Sequence, residues 1–295
     1  MATVLITGCS SGIGRSAALA FARRGDHVYA TVRSATDGEE LRATAASEQL
    51  QLHTPTLDVT QPDTFGDLIN TVTSDAGSLD VLINNAGVLI PGAFEDISEA
   101  QLRTVMETNF FGPMLLTRAV LPFMRRQQKG LIIMISSLSG LAGLAGDVAY
   151  SASKFALEGA TEALRQEIDR WGIRLALVES GRYATRLDRS NGQLPSDYPQ
   201  QSPYRSLIES KLSDATQSAE QAMNPAAIAE LLLKIADTDT QQLRWPSDPL
   251  AVAVLNKLHG LDDTARAAFL DEVSDIAWWR DGFEHTPADS GRLET

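Results

Sequence analysis

The chain of 295 residues holds one cysteine, Cys9, so no disulfide can form within it. Free thiols suit a reducing compartment. Histidine is scarce as well: the four present show no spacing that would bind a metal, and none is expected. No run approaches the about 18 apolar residues that a membrane-spanning helix needs, and the N-terminus lacks the pattern of a signal peptide. A cytoplasmic protein is therefore expected. Positive charge is short, with 25 basic against 38 acidic residues and a net charge of −13. That balance argues against nucleic acid and against anionic membrane surfaces. Lysine in particular is rare, occurring only as Lys129, Lys154, Lys211, Lys234 and Lys257. There is no internal repeat and no low-complexity tract.

What the chain does have begins at its first residues. Thr3-Val4-Leu5-Ile6 is a short apolar, β-branched run that reads as a buried parallel strand. It enters Thr7-Gly8-Cys9-Ser10-Ser11-Gly12-Ile13-Gly14, after which residues 15–24 read as a helix. Glycines let such a turn close tightly, so that a diphosphate can approach the N–H groups of the helix N-terminus. Gly12, Gly14 and Ala17 fit the Gly-x-Gly-x-x-Ala dinucleotide pattern in its required place, after a strand and before a helix. Cys9 reads as a small packing residue of the turn.

Further polar stations follow at the ends of apolar runs: Asp58-Val59 after Leu57, Asn84-Asn85-Ala86-Gly87 after Val81-Leu82-Ile83, and Ser136-Ser137 after Leu131–Ile135. Asn109 lies in a helical stretch whose Leu102, Val105 and Met106 face the core. These are the places where side chains meet the crevice at the carboxyl edge of a doubly wound sheet. Tyr150 and Lys154 come last, four apart at the start of a helical pattern, hence on one face a turn apart. Two such residues are more often plain surface neighbours; the stations before them give the pair its weight. An ammonium beside a phenol eases loss of the phenolic proton. Tyr150 thus reads as a proton donor and acceptor for a substrate oxygen. A chain that otherwise prefers arginine also places a lysine where a compact point charge is wanted.

In this order, the motifs Thr7-Gly8-x-x-x-Gly12-Ile13-Gly14, Asn84-Asn85-Ala86-Gly87, Asn109, Ser137 and Tyr150-x-x-x-Lys154 resemble those of the short-chain dehydrogenase/reductase family. Cys9-Ser10-Ser11, Ala30-Thr31-Val32-Arg33 and the stretch from Tyr150 to Gly159 are most similar to 17β-hydroxysteroid and retinol dehydrogenases. The resemblance covers residues 3–185. It implies an oxidoreductase that interconverts an alcohol and a ketone or aldehyde with a nicotinamide cofactor. It further implies that Ser137 holds the substrate oxygen, that Lys154 also holds the nicotinamide ribose, and that Asn109 anchors a relay water. Gly8, Ser10, Ser11, Gly12, Ile13, Gly14, Arg33, Asp58, Val59, Asn85, Ala86, Gly87, Tyr150, Lys154, Gly181 and Thr185 are the expected cofactor contacts. Ser180 departs from the family, which usually has proline before Gly181.

The cofactor is expected to be NADP. Enzymes that prefer NAD usually carry a carboxylate at the end of the second strand. This chain has Val32 there, followed by Arg33, and no carboxylate before Asp37. Two other readings remain open on the same scaffold: a lyase, dehydratase or epimerase that uses Tyr150 for proton transfer, and a regulatory protein that binds NADP without turnover. Leu89, Ile90, Pro91, Phe94, Leu138, Leu141 and Leu144 suggest a lipophilic substrate.

The expected fold is α/β, a single doubly wound parallel sheet of the Rossmann type forming one domain over 1–295. Strands are expected near 3–7, 27–32, 51–57, 79–84, 130–136 and 173–179, with a seventh at 241–245. Helices are expected near 12–24, 38–47, 62–75, 98–127 and 148–171. A substrate cap is read over 186–223, with helices at 206–223 and 225–237. Two more helices are read in the tail, 249–280. The long apolar series on helices 98–127 and 148–171 predicts a two-fold homodimer, as relatives often pair through these elements.

Overall fold

The computed structural model describes residues 1–181, 183, 187, 199–217, 222–258 and 260–282. Six strands form one parallel sheet: β1 (Thr3–Ile6), β2 (His27–Ala30), β3 (Leu52–His53), β4 (Val81–Asn84), β5 (Gly130–Ser137) and β6 (Ile173–Ser180). Their order is β3-β2-β1-β4-β5-β6. The chain winds outward from β1 to β3, then returns to lay β4 on the other side of β1. That reversal opens a crevice at the carboxyl ends of β1 and β4.

Strand side chains alternate between two apolar layers, as the period of two demands. Val4, Ile6, Val81, Ile83, Ile133 and Val178 pack with α1 (Gly12–Arg23), α2 (Glu39–Ser47) and α8 (Pro225–Asp237). Leu5, Leu82, Ile132, Met134, Leu175 and Leu177 pack with α3 (Phe65–Ala76), α5 (Gly112–Gln127) and α6 (Val148–Ile168). Helices on both faces explain why these strands read as continuous apolar runs.

The structure corrects the sequence in four places. The segment 51–57 pairs as β3 only at Leu52–His53, with a separate bridge from Val32 to Thr56. The segment 241–245 makes a single parallel bridge, Leu177 to Arg244, although backbone bonds continue along β6 from Leu243 to Ser247. The helix expected over 98–127 is α4 (Glu99–Met106) and α5 joined by a π-turn, Glu107–Phe111. One residue more per turn cannot be told from apolar spacing, and such turns gather at functional sites; this one carries Asn109. Among the described residues the tail holds three helices, α9 (Pro249–Leu258), α10 (Asp263–Ser274) and α11 (Ala277–Arg280). Of the helix expected at 206–223, α7 (Arg205–Gln217) is described, and residues 218–221 lie outside the described residues.

Candidate active site

A cavity of about 360 Å³ opens at the carboxyl edge of the sheet. The turn from β1 to α1 supplies one wall, with Gly8, Ser10, Ser11, Gly12 and Ile13. Gly8 has a φ of +71°, and a Cβ there would lie 2.9 Å from the Ala86 Cα. Only glycine allows this turn to press so closely on the end of β4. Two clasps hold them together. Thr7 Oγ1 accepts from the Asn85 and Ala86 amides, both at 3.0 Å. Asn85 Nδ2 donates to the carbonyls of Thr7 at 2.8 Å and Gly8 at 3.1 Å. No side chain caps α1. Its first amides thus face a cradle suited to a phosphate. Cys9 is buried beneath, donating to the Ile6 carbonyl at 3.3 Å, and burial pushes its thiol far above the usual range. It is a packing residue.

The far walls bring in Arg33, Asp58, Val59, Asn85, Ala86 and Gly87, and then Tyr150 and Lys154. Arg33 is exposed on this wall. The Asp37 carboxylate, the first after β2, accepts from Ser34 Oγ at 2.8 Å and the Ser34 amide at 3.2 Å. Asp58 is similarly engaged locally, accepting from Thr60 Oγ1 at 2.7 Å and its amide at 2.9 Å. Gly14, Asn109, Ser137 and Gly181 are not among the residues lining the cavity. Thr185 lies outside the described residues.

Tyr150 and Lys154 sit on the first turns of α6, both nearly buried. Lys154 Nζ lies 5.6 Å from the centre of the Tyr150 ring and donates to the Ile135 carbonyl at 2.8 Å. Burial pulls the lysine down to about 8, while Glu158 opposes the fall. Ser137 ends β5, and its Oγ accepts from the Ser139 amide at 3.1 Å. That bond uses a lone pair and leaves the hydroxyl proton free to turn.

Asn109 is fully engaged through its amide. Oδ1 accepts from the Val88 amide at 2.8 Å, and Nδ2 donates to the Val88 carbonyl at 2.8 Å and to Ser153 Oγ at 3.1 Å. Ser153 Oγ in turn donates to the Tyr150 carbonyl at 2.7 Å. The side chain therefore ties the π-turn to the helix that presents Tyr150 and Lys154.

Ser180 compensates for the missing proline by a hydrogen bond. Its Oγ donates to the Ser136 carbonyl at 2.9 Å, linking the ends of β5 and β6 beside Ser137. Asp248 steadies the next residue: its Oδ2 accepts from the Gly181 amide at 3.1 Å and Ser247 Oγ at 2.8 Å. Its Oδ1 accepts from the Ala251 amide at 2.9 Å at the start of α9. Thr7, Ser153, Ser180 and Asp248 all shape the site, and none stood out in the sequence as a site residue. Thr7 could have been found, since a hydroxyl at the end of β1 must face the neighbouring strand end.

A doubly wound sheet with a glycine cradle at its switch point and a tyrosine–lysine pair across the same cavity defines a dinucleotide-dependent α/β enzyme. The short chain dehydrogenase model matches residues 2–194, and the chain belongs to that family. It is thus an oxidoreductase of the kind that acts on CH–OH groups with a nicotinamide cofactor. The chain is 35% identical over 246 residues to the uncharacterized oxidoreductase YusZ of Bacillus subtilis, covering 82% of this chain and 87% of that one. It is 42% identical over 191 residues to retinol dehydrogenase 8 of Homo sapiens, which covers 63% of this chain but only 60% of that protein. With 3-ketodihydrosphingosine reductase of Bacteroides thetaiotaomicron it shares 32% over 255 residues, 86% of this chain and 90% of the relative. The solved short-chain dehydrogenase of Streptomyces avermitilis superposes with a TM-score of 0.76 at 32% identity, covering 95% of this chain and 98% of that one.

Proposed function

We propose that this protein is an NADP(H)-dependent reductase or dehydrogenase that interconverts a ketone or aldehyde with the corresponding alcohol on a lipophilic substrate. One observation carries the reading: Tyr150 and Lys154 line the same cavity as the glycine turn. A proton-transfer pair and a dinucleotide cradle thus share one space.

The residues fit such a cofactor. The amides at the start of α1 take the diphosphate, with Gly8, Ser10, Ser11, Gly12 and Ile13 forming the cradle and Gly14 letting the helix close against Gly8 and Asn85. Arg33 meets the adenosine 2′-phosphate, and Asp37, held by Ser34, does not compete as a ribose acceptor. Asp58, Val59 and Ala86 with Gly87 flank the adenine and ribose, while Asn85 acts by clasping the turn. Gly181 and Thr185 serve the nicotinamide amide. Bound there, NADPH supplies the hydride.

The chain's own work is proton management. Ser137 orients the substrate oxygen by hydrogen bonding, and Tyr150 gives it a proton as the carbonyl is reduced, or takes one in the reverse direction. Lys154, fixed as an ammonium 5.6 Å from the ring centre, favours the phenolate that forms. Asn109 holds the helix carrying both and anchors the relay water.

A lipophilic substrate fits the apolar side chains Val88 and Leu187 on the cavity wall. Two relatives are named for lipophilic substrates, retinol and 3-ketodihydrosphingosine. The chain works as one domain, in the cytoplasm. Mixing the protein with NADPH and a panel of lipophilic ketones and aldehydes should consume NADPH absorbance with at least one of them. A lyase or epimerase would convert substrate with no net change in that absorbance.

The same reading includes a two-fold dimer. Phe111, Val148 and Phe155 are each more than two-fifths exposed, along the π-turn and the outer face of α6. Paired across a two-fold axis, these side chains would be covered by a second copy. Light scattering at micromolar concentration should give twice the chain mass of 31.8 kDa. A mass of one chain would remove the dimer.

A further inference from the structure

Beneath Lys154, on the side of the sheet covered by α6, two acidic side chains are buried. Glu158 is 4% exposed and Glu179 not at all. Ser136 is the ladder partner of Glu179, one residue beyond the Ile135 carbonyl that anchors Lys154. None of the four carboxylate oxygens has a hydrogen bond of good geometry among the described residues, although the Ser136 hydroxyl and Arg244 lie close enough to Glu158 to favour its charge. What they have is a shared cation: Arg244 Nε lies 3.3 Å from Glu158 Oε2 and 3.7 Å from Glu179 Oε1. Arg244 also donates to the exposed Glu162 at 2.8 Å. Buried carboxylates so poorly satisfied burden folding. A chain that needed only packing here would do better with leucine or glutamine.

We propose that Glu158 is a positioning residue for Lys154: its buried carboxylate, held by Arg244, supplies the counter-charge that keeps the lysine an ammonium, while Glu179 carries the proton of the acidic pair. This rests on Lys154 being the active-site cation of the proposed reaction. Glu158 stands one helical turn after Lys154, on the same face of α6. Of the charged groups in this layer Glu158 acts on the lysine directly, while Glu162 of α6, Glu179 of β6 and Arg244 of the returning segment are gathered around Glu158. Ser136 adds a hydroxyl from β5, and the turn Leu138–Gly140 brings no charge.

The electrostatics divide the pair. Burial first, then the charge of Glu158, push Glu179 up to about 8, so it is protonated at neutral pH. Burial also raises Glu158, but Ser136, Arg244 and Lys154 pull against that rise, and it is the charge of Glu158 that adds to burial in raising Glu179. Its charge then opposes the burial that lowers Lys154 to about 8. Without it the lysine loses its proton at a lower pH. The phenolate of Tyr150 would then lose its stabilising neighbour across the physiological range.

With only five lysines, the full chain labelled with carbon-13 at lysine Cε gives five signals. The Lys154 signal is the one absent from the Lys154→Met variant. Titrated without cofactor, it should move near pH 8 in the native protein and about one pH unit or more lower in Glu158→Gln. The alkaline limb of kcat/KM for carbonyl reduction should move down by the same amount. Glu179→Gln, which mimics the protonated acid, should shift the lysine less than half as far. Glu158→Asp withdraws the charge by one methylene, should give a smaller downward shift, and carries the test if the glutamine variant does not fold. A Lys154 titration unmoved in Glu158→Gln, or lost activity with an unchanged pH profile, would overturn the proposal. An equal shift in Glu179→Gln would overturn the division of charge between the two. The titration needs no turnover, so its failure is distinct from a native enzyme that reduces no carbonyl.

Discussion

Tyr150→Phe should leave a folded protein that binds NADPH and turns over almost nothing. The ring is buried at the start of α6, and phenylalanine fills the same volume. The hydrogen bond from Ser153 goes to the Tyr150 main-chain carbonyl, so the link to Asn109 survives the change. Only the hydroxyl goes, and with it the proton donor proposed for the substrate oxygen. General acid–base groups contribute roughly 10²–10⁴-fold in rate, so kcat should fall by that factor while NADPH affinity, read by fluorescence, stays near native. A variant that keeps more than about a tenth of native activity would move proton transfer to another group.

Arg33→Ala should remove most of the preference for NADPH over NADH. Arg33 is exposed on the cavity wall after β2, where an NAD enzyme would place a carboxylate. Loss of a charge-assisted contact to the 2′-phosphate costs about 1.5–3 kcal/mol, which weakens NADPH binding by about one to two orders of magnitude. NADH, lacking that phosphate, should bind the variant as it binds the native protein. Both affinities can be read by fluorescence titration. Equal binding of the two cofactors by the native protein would reject the assignment.

Much of the sheet and its crevice was legible because its signals are local. The apolar runs at Val4–Ile6, Val81–Ile83 and Leu131–Ile135 are short, rich in β-branched residues and bounded by turn residues, which favours strands covered on both faces, and each ends in polar residues at the crevice. The glycine turn and the four-residue spacing of Tyr150 and Lys154 are likewise fixed by short-range geometry. What escaped depends on partners distant in sequence. Asn109 reads as a helix residue, yet its amide is committed to Val88 and Ser153 by a π-turn that leaves no trace in apolar spacing. Ser180 looked like the loss of a stiff proline, and its bond to Ser136 depends on the β5–β6 register. Arg244 seemed an ordinary residue of a seventh strand; its role beside Glu158 and Glu179 appears only once that segment lies along β6.

The central claim is that one cavity both holds NADPH and delivers its hydride to a carbonyl carbon while Tyr150 protonates the oxygen. NADPH deuterated at the transferable position of the nicotinamide tests this directly, with a lipophilic ketone as acceptor and mass spectrometry of the product. The account predicts an alcohol carrying one deuterium on the former carbonyl carbon, formed one for one with oxidised cofactor. Product formed without deuterium, with NADPH left unconsumed, would contradict it and favour a non-redox reaction on the same scaffold.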